Sequence, residues 1–220
     1  MLKFHVLWIR VLNNGIKFVI NSSIINTLNT GNFSDQSITN FIIATFNNAL
    51  LFGGVPEDIR SVYIHGNVGH RHVYGYVMYI RRYRSASIHI GTWRIKRDFS
   101  KCATYWGGWQ VLAHEIAHLV GIGSGHYLRH GNIHLNVTKE LLLESLPSEI
   151  AIPATYYLLI DYLLGIECKG GYSKASRDFI INELNRLTND YLIDVKHYIN
   201  CSVVLRSLIR SCNSRLMRYA

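Results

Sequence analysis

Residues 109–120 read Trp-Gln-Val-Leu-Ala-His-Glu-Ile-Ala-His-Leu-Val, a stretch that combines an apolar pattern with two histidines and a glutamate. Its apolar side chains recur three or four residues apart, at positions 109, 112, 113, 116, 117 and 120, which predicts a helix buried along one side. His114 and His118 share another strip, because side chains four apart project from nearly the same face. Two imidazoles on one helical turn can bind a single metal ion, and Glu115 lies beside them.

The residues after His118 are predicted to end this helix. Gly121, Gly123 and Gly125 place three glycines within five residues. Glycine readily adopts the left-handed backbone conformation that terminates helices. The helix is therefore expected to stop at about Gly121, where the chain turns sharply.

Hydrophobic periodicity predicts further elements on both sides. Residues 3–20 are expected to form a hairpin about a two-residue Asn14-Gly15 turn, and Ser34 or Asp35 can cap a helix over residues 36–51. Three strands are predicted at residues 60–65, 73–80 and 86–90, and the chain from residue 141 has helical periodicity. This order indicates an α+β protein with a mixed sheet, followed by a mostly helical C-terminal region.

Positive charge is concentrated near the C-terminus. The net charge of the chain is +9, and residues 169–220 contain nine Lys or Arg against four Asp or Glu, a surplus of +5. Such a surplus attracts polyanions. This segment is expected to be either a solubilising face or a binding region for nucleic acid or an acidic partner.

Neither an export signal nor a membrane span is predicted. Lys3, Arg10 and Lys17 interrupt the apolar run that either would need in residues 1–20. We expect a protein without a membrane span, located inside the cell or associated with an assembly. No C-x-x-C pair, and hence no zinc-ribbon or thioredoxin signature, occurs among the four cysteines, which are Cys102, Cys168, Cys201 and Cys212.

A firmly held catalytic zinc needs a third protein ligand and one open position. The downstream candidates are His126, His130, His134, Glu144 and Glu149. Because the chain is predicted to double back at Gly121, a ligand only a few residues further can reach the metal. This favours His126, with His130 as the second choice.

Residues 114–126 resemble the zinc signature of the metzincin peptidases, particularly the matrixin branch, in which HExxHxxG precedes a third histidine. The resemblance covers roughly residues 16–126 and implies that zinc is bound by His114, His118 and His126. It also implies a zincin-like metallopeptidase domain over residues 1–168, with a long helix and an active-site helix. A basic helical extension over residues 169–220 is then expected to pack on that domain.

Two features depart from the metzincin pattern. Ser124 stands where that family has its third histidine, so His126 fits only with two extra residues in the turn. The methionine that underlies the metal in that family has no counterpart, since no methionine lies between Met78 and Met217.

Two other families offer alternative third ligands. SprT-like peptidases use a later histidine followed by glycine, and His130-Gly131 is similar to that arrangement. The gluzincin pattern, with a glutamate on the next helix, would use Glu149.

The resemblance implies a zinc metalloendopeptidase that acts on a protein or peptide substrate. Glu115 is expected to deprotonate the attacking water and to pass the proton to the leaving amine. The alternative is a catalytically weak or inactive zincin scaffold that binds nucleic acid or an acidic assembly through its basic tail.

Overall fold

The structure is a computed structural model that describes residues 7–11, 15–29, 31–66, 74–99, 104–122, 130–167, 175–191 and 200. Within these residues, five strands and seven α-helices form an α+β arrangement. In chain order they are β1 (Leu7–Val11), β2 (Lys17–Asn21), α1 (Ser22–Leu28), α2 (Asp35–Leu51), β3 (Ser61–Gly66), β4 (Gly75–Ile80), β5 (Ser85–Ile90), α3 (Thr92–Asp98), α4 (Thr104–Ala117), α5 (Asn132–Ser145), α6 (Ser148–Glu167) and α7 (Arg177–Tyr191).

The strands form one mixed sheet in the order β1-β2-β3-β5-β4. Strands β2, β3 and β5 are parallel, whereas β1 and β4 run antiparallel to their neighbours. The predicted α+β class with a mixed sheet is confirmed. Strand β4 pairs only with β5 among the described residues, so it forms one edge of the sheet.

The predicted N-terminal hairpin is confirmed, but its register differs from the expected one. A two-residue Asn14-Gly15 turn would place Val11 opposite Phe18, whereas Val11 lies opposite Lys17. This register implies an odd number of loop residues. Gly15 has a φ of 82°, which is typical of a three-residue loop that ends in a left-handed glycine. Residues 12–14 lie outside the described part of the chain.

The long helix α2 begins as predicted. Ser34 is its N-cap, and the Ser34 hydroxyl accepts a hydrogen bond from the Ser37 backbone N–H at 3.1 Å. Sequence reasoning missed two seven-residue helices, α1 and α3. Helix α1 is capped by Asn21, whose Oδ1 accepts from the Ser23 N–H at 2.9 Å. Both are too short for a repeated apolar pattern, so their packing against α4 provides the stabilisation that periodicity could not reveal.

One hydrophobic core joins the sheet to the helices. On the sheet side, the Phe18 ring packs edge-on against Phe46 of α2 with centroids 5.1 Å apart. The core extends into α7, where Ile180, Leu184 and Leu187 are buried. The predicted domain boundary at residue 168 falls outside the described residues and stays a prediction.

Helix α6 is unusually apolar. Among the described residues, Ser148–Ile166 is the one segment long and apolar enough to cross a bilayer, and 78% of it is buried inside the protein. Such burial is typical of the core helix of a soluble protein. Within the described residues this burial is consistent with the predicted lack of a membrane span, which stays a prediction for the rest of the chain.

Candidate metal centre

Helix α4 is fixed by close packing at its N-terminal half. It begins at Thr104, five residues before the predicted apolar run. A Cβ atom added to Gly107 would lie 2.7 Å from the Phe99 ring, and one added to Gly108 would lie 3.0 Å from Leu28 Cδ2. The two glycines therefore allow a close approach, and the buried Trp109 indole donates to the Leu28 carbonyl at 3.1 Å. This packing sets the direction in which the helix presents its histidines.

Helix α4 ends close to Gly121, as its glycine-rich sequel predicts. Its regular part stops at Ala117, and the Val120 N–H donates to the Ala117 carbonyl at 3.1 Å in a tighter turn. Gly121 has a φ of 95° and donates its N–H to the Gly54 carbonyl at 2.8 Å. Thus His118 lies at the last turn of α4.

His114, His118, His130 and His134 form what we term the histidine cluster. His114, His118 and His134 each have one ring nitrogen that lies within 4.8 Å of the other two. These three side chains are therefore close enough to hold a metal ion. The pairing of His114 with His118, predicted from their four-residue spacing, is confirmed as a juxtaposition in space, with ring centroids 4.9 Å apart.

His130 makes the closest nitrogen contacts in the cluster. It lies in the turn before α5, and its Nε2 is 3.0 Å from His114 Nε2 and 3.1 Å from His118 Nε2. Two imidazole nitrogens bound to one tetrahedral zinc at about 2.1 Å are separated by about 3.4 Å. The observed distances are close to that value, so a metal ion between these three atoms would require only a small expansion.

His134 uses its ring nitrogens differently. This residue lies in the first turn of α5 and is fully buried. Its Nδ1 is 2.5 Å from the Tyr162 hydroxyl on α6, and its Nε2 is 3.2 Å from the backbone carbonyl oxygen of His114. Both ring nitrogens therefore have polar partners within the protein.

Burial favours the neutral form of three rings of the cluster, those of His114, His130 and His134. Protein atoms surround the His114 ring, although part of the residue surface is exposed. Burial is the main cause that lowers the pKa of His114 well below its ordinary value, and the neighbouring histidines lower it further. Burial also lowers the pKa of His130, which the nearby Asp161 carboxylate partly opposes, and takes that of His134 to about 2. Neutral imidazole is the form that binds metal ions.

Glu115 is a buried carboxyl group next to the cluster. Its residue surface is only 5% exposed, and burial raises the pKa of its side chain to about 8. It lies against the first residue of edge strand β4, because a Cβ atom on Gly75 would be 2.8 Å from Glu115 Cγ. A carboxyl group is thus held between the histidine-bearing helix and a sheet edge.

The other predicted ligands fall in different places. His126, the first choice for the third ligand, lies outside the described residues and stays a prediction. His130, the second choice, is the one that faces both histidines of α4. Glu144 and Glu149 are exposed on α5 and at the start of α6.

Sequence reasoning missed the two residues of α6 that border the cluster. Tyr162 contacts His134, and the charge of Asp161 acts on His130. They lie in a long apolar helix without a recognisable motif. Their role follows only from the packing of α6 beside α4 and α5.

Two further histidines face each other on neighbouring strands of the sheet, His65 on β3 and His89 on β5. His65 and His89 stack with centroids 4.8 Å apart, and His89 Nε2 is 2.8 Å from the Ser87 hydroxyl. His89 lies on β5, which is an interior strand of the sheet between β3 and β4.

The basic C-terminal segment is only partly described. Helix α7 carries two arginines and three acidic residues, so its own net charge is −1. The positive surplus therefore belongs to residues outside the described part, as do all four cysteines. Binding of nucleic acid or an acidic partner by residues 169–220 stays a prediction.

The chain has no significant match among protein-family models, curated proteins or solved structures. The function of the site is therefore inferred from its sequence motif and its geometry.

Proposed function

We propose that this protein is a zinc-dependent endopeptidase in which His114, His118 and His130 hold the metal and Glu115 is the general base. The observation that carries the proposal is the meeting of three Nε2 atoms, His130 lying 3.0 and 3.1 Å from the other two, beside a buried carboxyl group. The set leaves one tetrahedral position for water, as catalytic zinc sites do.

The residues present fit zinc in type as well as in distance. All three proposed ligands are imidazoles, a donor type that suits zinc, and three of them match the ligand number of a catalytic rather than a structural site. Asp161 acts electrostatically on His130. A carboxylate beside a ligating histidine raises the basicity of that ligand.

We assign proton transfer to Glu115, whose buried carboxyl group follows the proposed ligand His114 in α4. Zinc bound at this site would lower the pKa of an attached water to about 7 and polarise the substrate carbonyl. Glu115 takes a proton from the attacking water and gives it to the leaving amine nitrogen. Burial alone keeps this carboxyl protonated at neutral pH, and a nearby cation favours its ionised form.

Strand β4 supports a peptide as the substrate. It is an edge of the sheet among the described residues, and its first residue, Gly75, contacts Glu115. An extended peptide can pair with such an edge through main-chain hydrogen bonds, which would bring a peptide bond to the buried carboxyl group. The pairing is independent of side chains, as the cleavage of varied protein substrates requires.

The full-length Glu115→Gln variant tests the proposal. We expect it to bind zinc in the same amount as the wild type but to hydrolyse a denatured protein about 10²- to 10⁴-fold more slowly, because the proton acceptor is lost. Zinc content is measured by mass spectrometry and hydrolysis by release of new amino termini. Glu144→Gln, an exposed glutamate of α5, is the matched control. Undiminished hydrolysis by Glu115→Gln would refute the assignment.

A further inference from the structure

The hydrogen bonds of His134 determine which of its ring nitrogens carries the proton. Its Nε2 lies 3.2 Å from the His114 carbonyl oxygen, which can only accept a hydrogen bond. The Nε2 atom must therefore carry the hydrogen and donate. In a neutral imidazole the other nitrogen, Nδ1, then holds the lone pair, and the Tyr162 hydroxyl donates to it at 2.5 Å.

This arrangement leaves His134 without a lone pair for a metal ion. The lone pair on Nδ1 accepts from Tyr162, and Nε2 is protonated. His130, by contrast, directs its Nε2 at the Nε2 atoms of both α4 histidines. Proximity alone would group His134 with His114 and His118, but the direction of its hydrogen bonds separates it from them.

His134 also holds the turn of α4 that carries the ligands. The helical hydrogen bond from the His118 N–H to the His114 carbonyl is long, at 3.3 Å, and His134 supplies a second donor to the same oxygen. Its ring lies with its centroid 4.4 Å from that of His114 and 4.0 Å from that of His118. Rotation of either imidazole would collide with this fully buried ring.

We propose that His134 and Tyr162 form a buried positioning pair, in which His134 binds no metal but fixes the His114 carbonyl and the orientation of both metal-binding imidazoles of α4. His134 lies on α5 and Tyr162 on α6, so the pair connects both helices to the turn of α4 that carries His114 and His118. The positioning role rests on the proposed zinc site, whereas the hydrogen bonding of the pair does not.

The first test identifies the ligands and the tautomer in the full chain. With ¹¹³Cd²⁺ in place of zinc and ¹⁵N-labelled histidine, we expect cadmium–nitrogen coupling at His114, His118 and His130 and none at His134. The ¹⁵N shifts of His134 should report a protonated Nε2 in the metal-free protein as well. Coupling at His134, or a protonated Nδ1, would overturn the proposal.

The second test separates positioning from ligation by substitution. Gln places an amide N–H near the position of Nε2, so His134→Gln should keep zinc affinity within about 3-fold, whereas His134→Ala should lower it about 10- to 100-fold. Tyr162→Phe should lower kcat several-fold with little change in KM. Tyr156→Phe, another buried tyrosine of α6, is the matched control and should leave both unchanged. An equal loss of zinc affinity in His134→Gln and His134→Ala would identify His134 as a ligand and overturn the proposal.

The two tests also distinguish the two possible failures. If the wild type binds neither zinc nor cadmium, the proposed function fails, and the tautomer of His134 in the metal-free protein still decides whether the pair exists. If metal is bound and His134 is coupled to it, the proposed function stands and the positioning pair fails.

Discussion

Helix α5 takes part in two polar clusters that differ in how their charges are balanced. The histidine cluster, at its first turn, contains four imidazole rings. The second, which we term the Lys139 cluster, comprises Lys139, Glu140, Glu183 and Arg186, and its formal charges sum to zero. Lys139 Nζ lies 3.1 Å from Glu183 and 3.3 Å from Glu140, and Arg186 lies 3.1 Å from Glu183.

The difference indicates which cluster can take a ligand. The Lys139 cluster already contains both signs of charge, and its Lys139–Glu183 ion pair links α5 to α7. In the histidine cluster, three imidazole Nε2 atoms lie close together, and a neutral imidazole can offer a nitrogen lone pair to a cation. Such a group is completed by a cation.

Zinc should stabilise the protein through the histidine cluster alone. At a zinc concentration about a thousand times the dissociation constant, binding contributes about 4 kcal/mol, or roughly 10 °C in Tm. We expect this shift in the wild type, its loss in His130→Ala, and its retention in Glu183→Gln, measured by scanning calorimetry with and without a chelator. If His126→Ala abolished the shift while His130→Ala preserved it, His126 would be the third ligand instead.

Stability of the metal-free protein should fall with rising pH because of Glu115. Burial raises the pKa of this carboxyl from 4.5 to about 8. The folded state therefore binds the proton more tightly than the unfolded state, and the contribution is full below pH 4.5 and is lost as pH rises to about 8. The loss is on the order of several kcal/mol at most.

Urea denaturation of chelator-treated protein at two pH values measures this effect. Relative to the wild type, Glu115→Gln should gain stability between pH 5.5 and 8.5, because its amide does not ionise. Because both proteins contain the same histidines, the comparison with wild type at each pH removes the contribution of histidine titration to the pH dependence. A constant difference between the two proteins would show that Glu115 is not desolvated.

Removal of one charge from the Lys139 cluster should cost stability without affecting zinc. Lys139 is 7% exposed, and Glu183→Gln would leave its buried ammonium with Glu140 as its remaining carboxylate. We expect a loss of about 1–3 kcal/mol, which denaturant unfolding would measure. Asp178→Asn on the same helix is the matched control, because that side chain is 90% exposed and should change little. A loss of zinc affinity in Glu183→Gln would show that the clusters are coupled.

The smallest effect is expected where β4 meets Glu115. In Gly75→Ala the new methyl group would lie 2.8 Å from Glu115 Cγ and 3.0 Å from the His89 carbonyl oxygen, so the carboxyl must shift. We expect kcat to fall about 5- to 10-fold, equivalent to roughly 1 kcal/mol, with zinc content unchanged. Val77→Ala on the same strand is the control for general effects on β4. Unchanged kinetics in Gly75→Ala would mean that Glu115 has room to move.

Several parts of this protein could be predicted from the sequence because local rules govern them. The spacing of His114 and His118 fixes their juxtaposition through the helical repeat, and Gly121 ends the helix through its own backbone freedom. Helix α2, with its Ser34 cap, follows from the same kind of local signal. Helices α1 and α3 were not predicted, because an apolar pattern in only seven residues is too short to distinguish a helix from a loop.

The α+β class could be predicted from the order of helical and strand patterns along the chain. The pair of histidines on α4 and the carboxyl group beside them could be predicted because they depend on residues within about one helical turn. Only the tertiary structure decided that His130 faces that pair, that His134 is tied to Tyr162, and that Gly75 of an edge strand contacts Glu115. These contacts join residues 12 to 40 positions apart in the chain. Such separations are set by how helices and strands pack around a common core, and no local propensity encodes them.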